Sequence, residues 1–581
     1  MGGTFLSVIR RPLDGVFHPR SGLWTSSAGG KVFRRYLSIW NVVLLFAFAV
    51  LFYLVIYPMF SIFRASFISP ETNLVSLESY QKIFRLPFYL RCLRNSLWVS
   101  GLASLLSLLL GIPFAFFTSR FTLPGKSVIK TLATLPLILP TFIGAEAWIL
   151  LLGRNGLFTK LFQQIGITLP TLYGWQGIVL VFTLQFFPFV FLIVSAAIVS
   201  IDSSLEESAR NLGANSWRVF RTVTLPIITP SIFGGTLIVF YLSIENFGVP
   251  TLIGEDYRVL AVQAYNEFIS EMGGNPSMAG AISMILVSIT LLVTVMQKYW
   301  VERRSYAMSA LRPPEIRTLR PFPTLCIWFF CVSLVFLSLF PFLVVIISSV
   351  TKTQGPVMYF GQFSLRNLAN AIQIAPRPIF NSFFLATAAT LMGMIFGLGI
   401  SYLVVRRQGP GTYLLDILIM LPLIIAGTVL GIALAVTFNK GRIVLTGTWM
   451  ILVLAYFIRK VPFSIKTTSS VLQQIDISIE EASINLGVPP LRSFLKVVVP
   501  LMLPGIMAGA IIMWVTTLAE LSSTIVLYYG PWTTMTVQIF QYIGSGDFGP
   551  ASAYATILIV SVLIPLFILN RVLGKELTAT L

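Results

Sequence analysis

The chain has 581 residues, 56% of them hydrophobic and only 10% charged, with a net charge of +19. That balance excludes a soluble globular domain, and apolar runs of about 18 residues or more, each able to cross a bilayer, recur along it. The basic surplus does not point to nucleic acid, because Lys and Arg are spread over the segments between the apolar runs, where membrane orientation calls for them.

In chain order, residues 1–37 read as a cytoplasmic tail, rich in Arg, Gly and Ser and without the apolar core of a signal peptide. Spans are predicted near 38–60, 93–118, 127–152, 173–200, 229–247 and 278–300, forming a first half over 38–300. A basic linker follows at 301–323. The second half, 324–581, repeats the pattern near 324–350, 380–405, 413–437, 447–470, 505–528 and 553–573. The expected fold class is therefore an all-α polytopic membrane protein with about 12 transmembrane helices in two homologous halves. Cys326 and Cys331 share one apolar run and read as small core residues, and the single His18 cannot build a transition-metal site alone. Most of the 40 Lys and Arg fall on one side if both termini are cytoplasmic.

The repeat is clearest in a polar island that occurs twice. Glu206-Glu207-Ser208-Ala209-Arg210-Asn211-Leu212-Gly213 stands 274 residues before Glu480-Glu481-Ala482-Ser483-Ile484-Asn485-Leu486-Gly487, and Pro226 and Pro500 follow at equal distances. Each copy opens on an Asp suited to cap a helix, Asp202 or Asp476, and each closes on a Gly suited to end one. A second short helix, 217–224 or 492–499, is expected before the prolines. Asn95-Ser96 and Asn381-Ser382, Gly111 and Gly397, and Leu135-Pro136 and Leu421-Pro422 correspond at an offset of 286.

Both islands resemble the EAA loop of permease subunits of binding-protein-dependent ABC importers: Glu207-Ser208-Ala209, Gly213, Val223, Leu225-Pro226, and Glu481-Ala482-Ser483, Gly487, Val497, Val499-Pro500. Each copy carries one Ser in place of Ala, and the second has Val for Leu. The resemblance implies a type I ABC importer permease (MetI-like) fold. It implies two copies of a cytoplasmic ABC ATPase docking on Glu206, Glu207, Ala209, Gly213, Pro226 and on Glu480, Glu481, Ala482, Gly487, Pro500. It also implies an extracytoplasmic substrate-binding protein and a multi-pass place among the lipids of a bacterial inner membrane. No Gly-x-x-x-x-Gly-Lys-Ser/Thr loop occurs, so no enzyme activity and no cofactor bound by this chain are expected, and ATP is used by the partner.

Ionisable residues inside spans cost about 2.5–3.5 kcal/mol on insertion scales and so face protein or water. Glu245 with Asn246, late in the fifth span, and Glu520 with Ser522, at nearly the matching place in the eleventh, are candidates for a central pathway; helix packing is the competing reading. Arg459 and Lys460 before Pro462 are read either as anchors of a helix break or as an anion-facing pair, and Glu146 as a buried hydrogen-bonded residue. The segments 245–254, 519–524 and 541–552 resemble the ferric-iron importers, and paired carboxylates suit a hard trivalent cation. Thiamine, phosphonate and sugar-phosphate permeases are similar relatives. A gradient-driven carrier built from repeated halves is the other class, although it has no reason to duplicate a docking loop.

Overall fold

The computed structural model describes residues 29–69, 72, 74–270, 274–304, 316–407, 409–439 and 444–573. Most of the tail expected at 1–37, with His18, and the centre of the linker expected at 301–323 lie outside them.

Among the described residues the chain is helical, with one two-stranded hairpin, Thr351–Gln354 paired with Val357–Phe363. Among the described residues nine helices are long and apolar enough to cross a membrane. Two more predicted spans are each a bent pair: Lys126–Leu137 with Thr141–Gln164 at 99°, and Pro410–Ile424 with Gly427–Phe438 at 103°. The twelfth is Trp449–Gln474, whose Arg459, Lys460 and Lys466 give it more charge than a lipid-facing span carries. Its long buried stripe explains how Arg459 and Lys460 are tolerated, since much of its surface meets protein instead of lipid, while Lys466 is exposed and pairs with Asp416 at 2.8 Å.

Two predicted boundaries are corrected. The fifth span is Ser216–Ile244 and the eleventh Pro490–Leu518, each beginning earlier than its apolar run because the short polar helix runs into it without a break. The join is a widened π turn, Phe220–Thr224 before Pro226 and Phe494–Val498 before Pro500. Proline cannot donate an N–H and presses on the carbonyl four residues back. In both copies that carbonyl, of Thr222 or Lys496, lies inside the wide turn, and the same device, Phe52–Ile56 before Pro58, occurs in the first span.

Packing between the helices depends on small residues, since lipid offers as apolar a surface as another helix. A Cβ on Gly111 would lie 2.8 Å from Val190 Cβ, and one on Gly397 would lie 2.9 Å from Ser464 Oγ, so both halves bring their second and fourth helices together over glycine. The first span of each half, however, packs on the other half. Ala47, Leu51, Val55 and Ile62 join a core with Val429, Leu430 and Ala433. Cys331, Leu334, Phe342 and Val345 join a core with Phe142, Ile143 and Phe182. Cys331 is buried as expected, whereas Cys326, a turn and a half earlier, is exposed.

Candidate functional site

The polar islands fold as expected into a pair of short helices, Ser203–Asn211 and Ile477–Asn485. Asp202 and Asp476 accept the N–H of Ser204 and of Ser478, each at 2.9 Å. That backbone N–H holds the Asp476 carboxyl below the usual carboxylate range, so the cap is charged at neutral pH. Gly213 (φ +85°) and Gly487 (φ +86°) close the helices in the left-handed region. Their N–H groups donate to Arg210 O and Ile484 O, while Ala214 and Val488 reach Ala209 O and Ser483 O, the crossed pattern of a Schellman end.

Within each Glu-Glu pair the two carboxylates face opposite ways. Glu207 and Glu481 are exposed, together with Ala482, Pro226 and Pro500, and Ala209 is half-buried. Beside the exposed acids stand Leu212 and Leu486, 89% and 86% exposed, and Trp217 at 68%, an apolar surface with no cover among the described residues. Glu206 and Glu480 turn inward and are buried. Arg120, ending the second span, donates to both Glu206 oxygens at 3.0 and 2.5 Å, and Thr224 adds its hydroxyl at 2.8 Å. The linker is tied to the same place, because Arg317 N–H donates to Arg120 O at 2.9 Å.

The second copy is held differently. Tyr402 donates its hydroxyl to Glu480 at 2.5 Å and stacks on Trp40, while Arg406 donates instead to Ile475 O. Arg120, Tyr402 and Thr224 are anchors that the sequence reading missed; a usable signal was that Arg120 and Arg406 stand 286 apart, like the other repeat mates.

The second assembly lies where the fifth and eleventh spans end beside the bent pairs. Arg459 pairs with Glu520 and, at 3.5 Å, with Glu245 of the other half; Lys460 reaches the second Glu520 oxygen at 2.9 Å. Two cations and two carboxylates so cancel in a buried place where any one alone would be costly. Gly427, at the bend, leaves the space that the Arg459 guanidinium occupies, with Ser522 half-buried on its other side.

The matching place in the first half is neutral. Gln185, the repeat mate of Arg459, donates to Pro136 O and, at 2.8 Å, to Leu139 O, satisfying carbonyls that the bend leaves free. The repeat mate of Glu520 is Asn246 and not Glu245. Each caps the segment after its span: Asn246 accepts from Val249 N–H at 3.1 Å, Glu520 from Ser523 N–H at 3.2 Å. Asn246 also accepts a second role by donating to Thr141 at 2.9 Å. The Asn-Ser pairs do matching work too: Ser96 accepts from Leu260 N–H and Ser382 from Met535 N–H, each at 2.8 Å, pinning the segments that follow those caps. Glu146, in the bent third span, is fully buried and accepts from Ser552 at 2.8 Å.

The chain matches the family described as binding-protein-dependent transport system inner membrane component twice, over 107–306 and 389–578. It is 28% identical over 538 residues to the ferric transport system permease protein FbpB of Actinobacillus pleuropneumoniae, covering 90% of this chain and 77% of that protein. It is 25% identical over 499 residues to the Fe(3+)-transport system permease protein FbpB 2 of Haemophilus influenzae, covering 85% and 92%. A 217-residue part is 36% identical to the molybdenum transport system permease protein ModB of Escherichia coli, 36% of this chain and 92% of that protein. With the duplicated polar helices in two homologous halves, these matches place the chain in the family of inner membrane permease components of binding-protein-dependent ABC importers, as a fusion of two such components.

Proposed function

We propose that this permease passes ferric iron, handed over by an extracytoplasmic binding protein, to the cytoplasm of a bacterial cell, with both chain termini on the cytoplasmic side. ATP is hydrolysed by two copies of a partner ATPase, one on each docking helix, and this chain binds no nucleotide or cofactor of its own. The observation that carries the reading is the likeness to ferric permeases along both halves, together with a docking helix in each half. Leu212, Trp217 and Leu486 supply apolar contact area on those helices, and Glu207 and Glu481 supply charge. Alternating access then works through the turn and the span behind it: motion at 203–211 or 477–485 passes the Gly213 or Gly487 turn to the short helix at 216–219 or 490–493, which continues through the π turn into the fifth or eleventh span.

A second reading, an oxyanion cargo, is favoured by the likeness of one half to ModB and by the two cations, Arg459 and Lys460, beside the spans' ends. The deciding experiment is uptake by cells lacking the chain, using labelled iron(III), molybdate, thiamine and a sugar phosphate. Loss of iron uptake alone, restored by the intact gene, is the expected result. Normal iron uptake with loss of molybdate or another solute would replace iron as the cargo and keep the importer.

A further inference from the structure

The two carboxylates at the centre are not equivalent. Glu520 is saturated: Arg459 and Lys460 take its two oxygens, and Ser523 adds its N–H and its hydroxyl, each at 3.2 Å. Glu245 meets Arg459 only at 3.5 Å, and its Oε2 is buried without a hydrogen-bond partner. The Tyr241 hydroxyl donates to Leu423 O and also lies close to the Glu245 carboxylate, a neutral neighbour that brings no counter-charge. Glu245 also belongs to the first half, whereas Arg459, Lys460 and Glu520 all belong to the second. Arg459 is thus bound more closely within its own half than across to Glu245.

We propose that Glu245 is the cargo-contacting carboxylate of this permease, that Arg459 is its resident counter-ion while the pathway is closed, and that Glu520 is a positioning residue that keeps Arg459 from following Glu245. The proposal rests on the reading of the chain as an importer of a cationic cargo. A metal cation, or the positive face of a metal complex, replaces the guanidinium on Glu245 as the halves part, and Arg459 displaces it as they close. The exchange is cation for cation, so a carboxylate is never left unpaired in a low-dielectric place, which is the condition for cheap release as well as for binding. The first half offers no such exchange, because Gln185 and Asn246 are neutral and bound to fixed backbone groups.

The test uses the full chain reconstituted with its ATPase and binding protein, with Cys92, Cys326 and Cys331 replaced by Ser and Ser522→Cys as a reporter beside Arg459. A small thiol reagent measures how closed the centre is, and labelled iron(III) measures transport. Glu245→Gln is expected to speed labelling of the reporter about tenfold and to lower uptake about tenfold or more, less than the full cost of breaking a buried charge pair because Arg459 keeps Glu520 as its partner. Glu245→Asp, which keeps the charge, is expected to recover part of both. Unchanged labelling in Glu245→Gln would overturn the counter-ion role, and faster labelling with normal uptake would overturn the cargo contact. If the unsubstituted protein carries no iron, the iron reading fails by itself, while faster labelling in Glu245→Gln still supports the Glu245–Arg459 closure.

Discussion

Replacing Gly213 or Gly487 with proline is expected to abolish transport while the protein reaches the membrane in normal amount. Both glycines sit at positive φ, +85° and +86°, where proline, fixed near −65°, cannot go. The substitution also removes the N–H that donates to Arg210 O or Ile484 O at 2.8 or 2.9 Å, so the end of the polar-island helix is lost. Nothing lies within 4 Å of a Cβ at either site, so the damage stays local and the spans are untouched. Alanine at the same places should be milder, since a left-handed L-residue costs about 1–2 kcal/mol and keeps its N–H. Uptake measured beside the amount of protein in the membrane checks this; normal uptake in both proline variants would remove these helices from the coupling path.

Glu206→Ala is expected to release the first polar-island helix, 203–211, whereas Glu480→Gln should leave the second, 477–485, nearly intact. The Arg120–Glu206 pair is bidentate, and its side chains are 7% and 8% exposed. Removing one partner of such a pair costs about 3–5 kcal/mol, because the other is left charged and buried. Arg120→Ala should cost less, because Glu206 keeps the Thr224 hydroxyl at 2.8 Å and Arg210 at 3.7 Å. Changing both residues to leucine should recover much of the loss, since the penalty lies in the orphaned charge more than in the absent attraction. Glu480 is bound by a neutral donor, Tyr402, and a Gln carbonyl accepts that hydroxyl as well, for a change of at most about 1.5 kcal/mol. Proteolysis or hydrogen exchange over 202–213 and 476–487, with uptake beside it, reads the difference. Equal loosening of both helices would show that charge at the anchor does not set their stability.

The architecture was legible because a membrane chain must declare its spans as apolar runs, and because duplication lets each half check the other. The helices of the two polar islands were legible to within a residue or two: Asp202 and Asp476 open them and Gly213 and Gly487 close them, all local chemistry. What was not legible is what spans long separations. Arg459 meets Glu245 across 214 residues, and Glu206 meets Arg120 across 86, so no window of sequence shows either pair. The two bends escaped for another reason. Pro136, Pro140 and Pro422 mark helix strain, but a proline is compatible with a kinked span as well as with a turn near 100°. What separates them is whether a distant donor such as Gln185 satisfies the freed carbonyls.

The exchange of first spans has a consequence for how such a chain is inherited. Each half completes its core with a helix from the other, so neither half is a finished folding unit, although each carries its own copy of the family fold. Two separate genes with that arrangement would have to find each other in the membrane, and a half from a related importer could insert its first helix in the wrong partner. Joining them in one polypeptide sets the ratio of the halves at one to one and makes the correct partner the nearest. The price of that fidelity is that the halves must diverge together, and the neutral Gln185 facing one bend while the charged Arg459 faces the other records how far they have already done so.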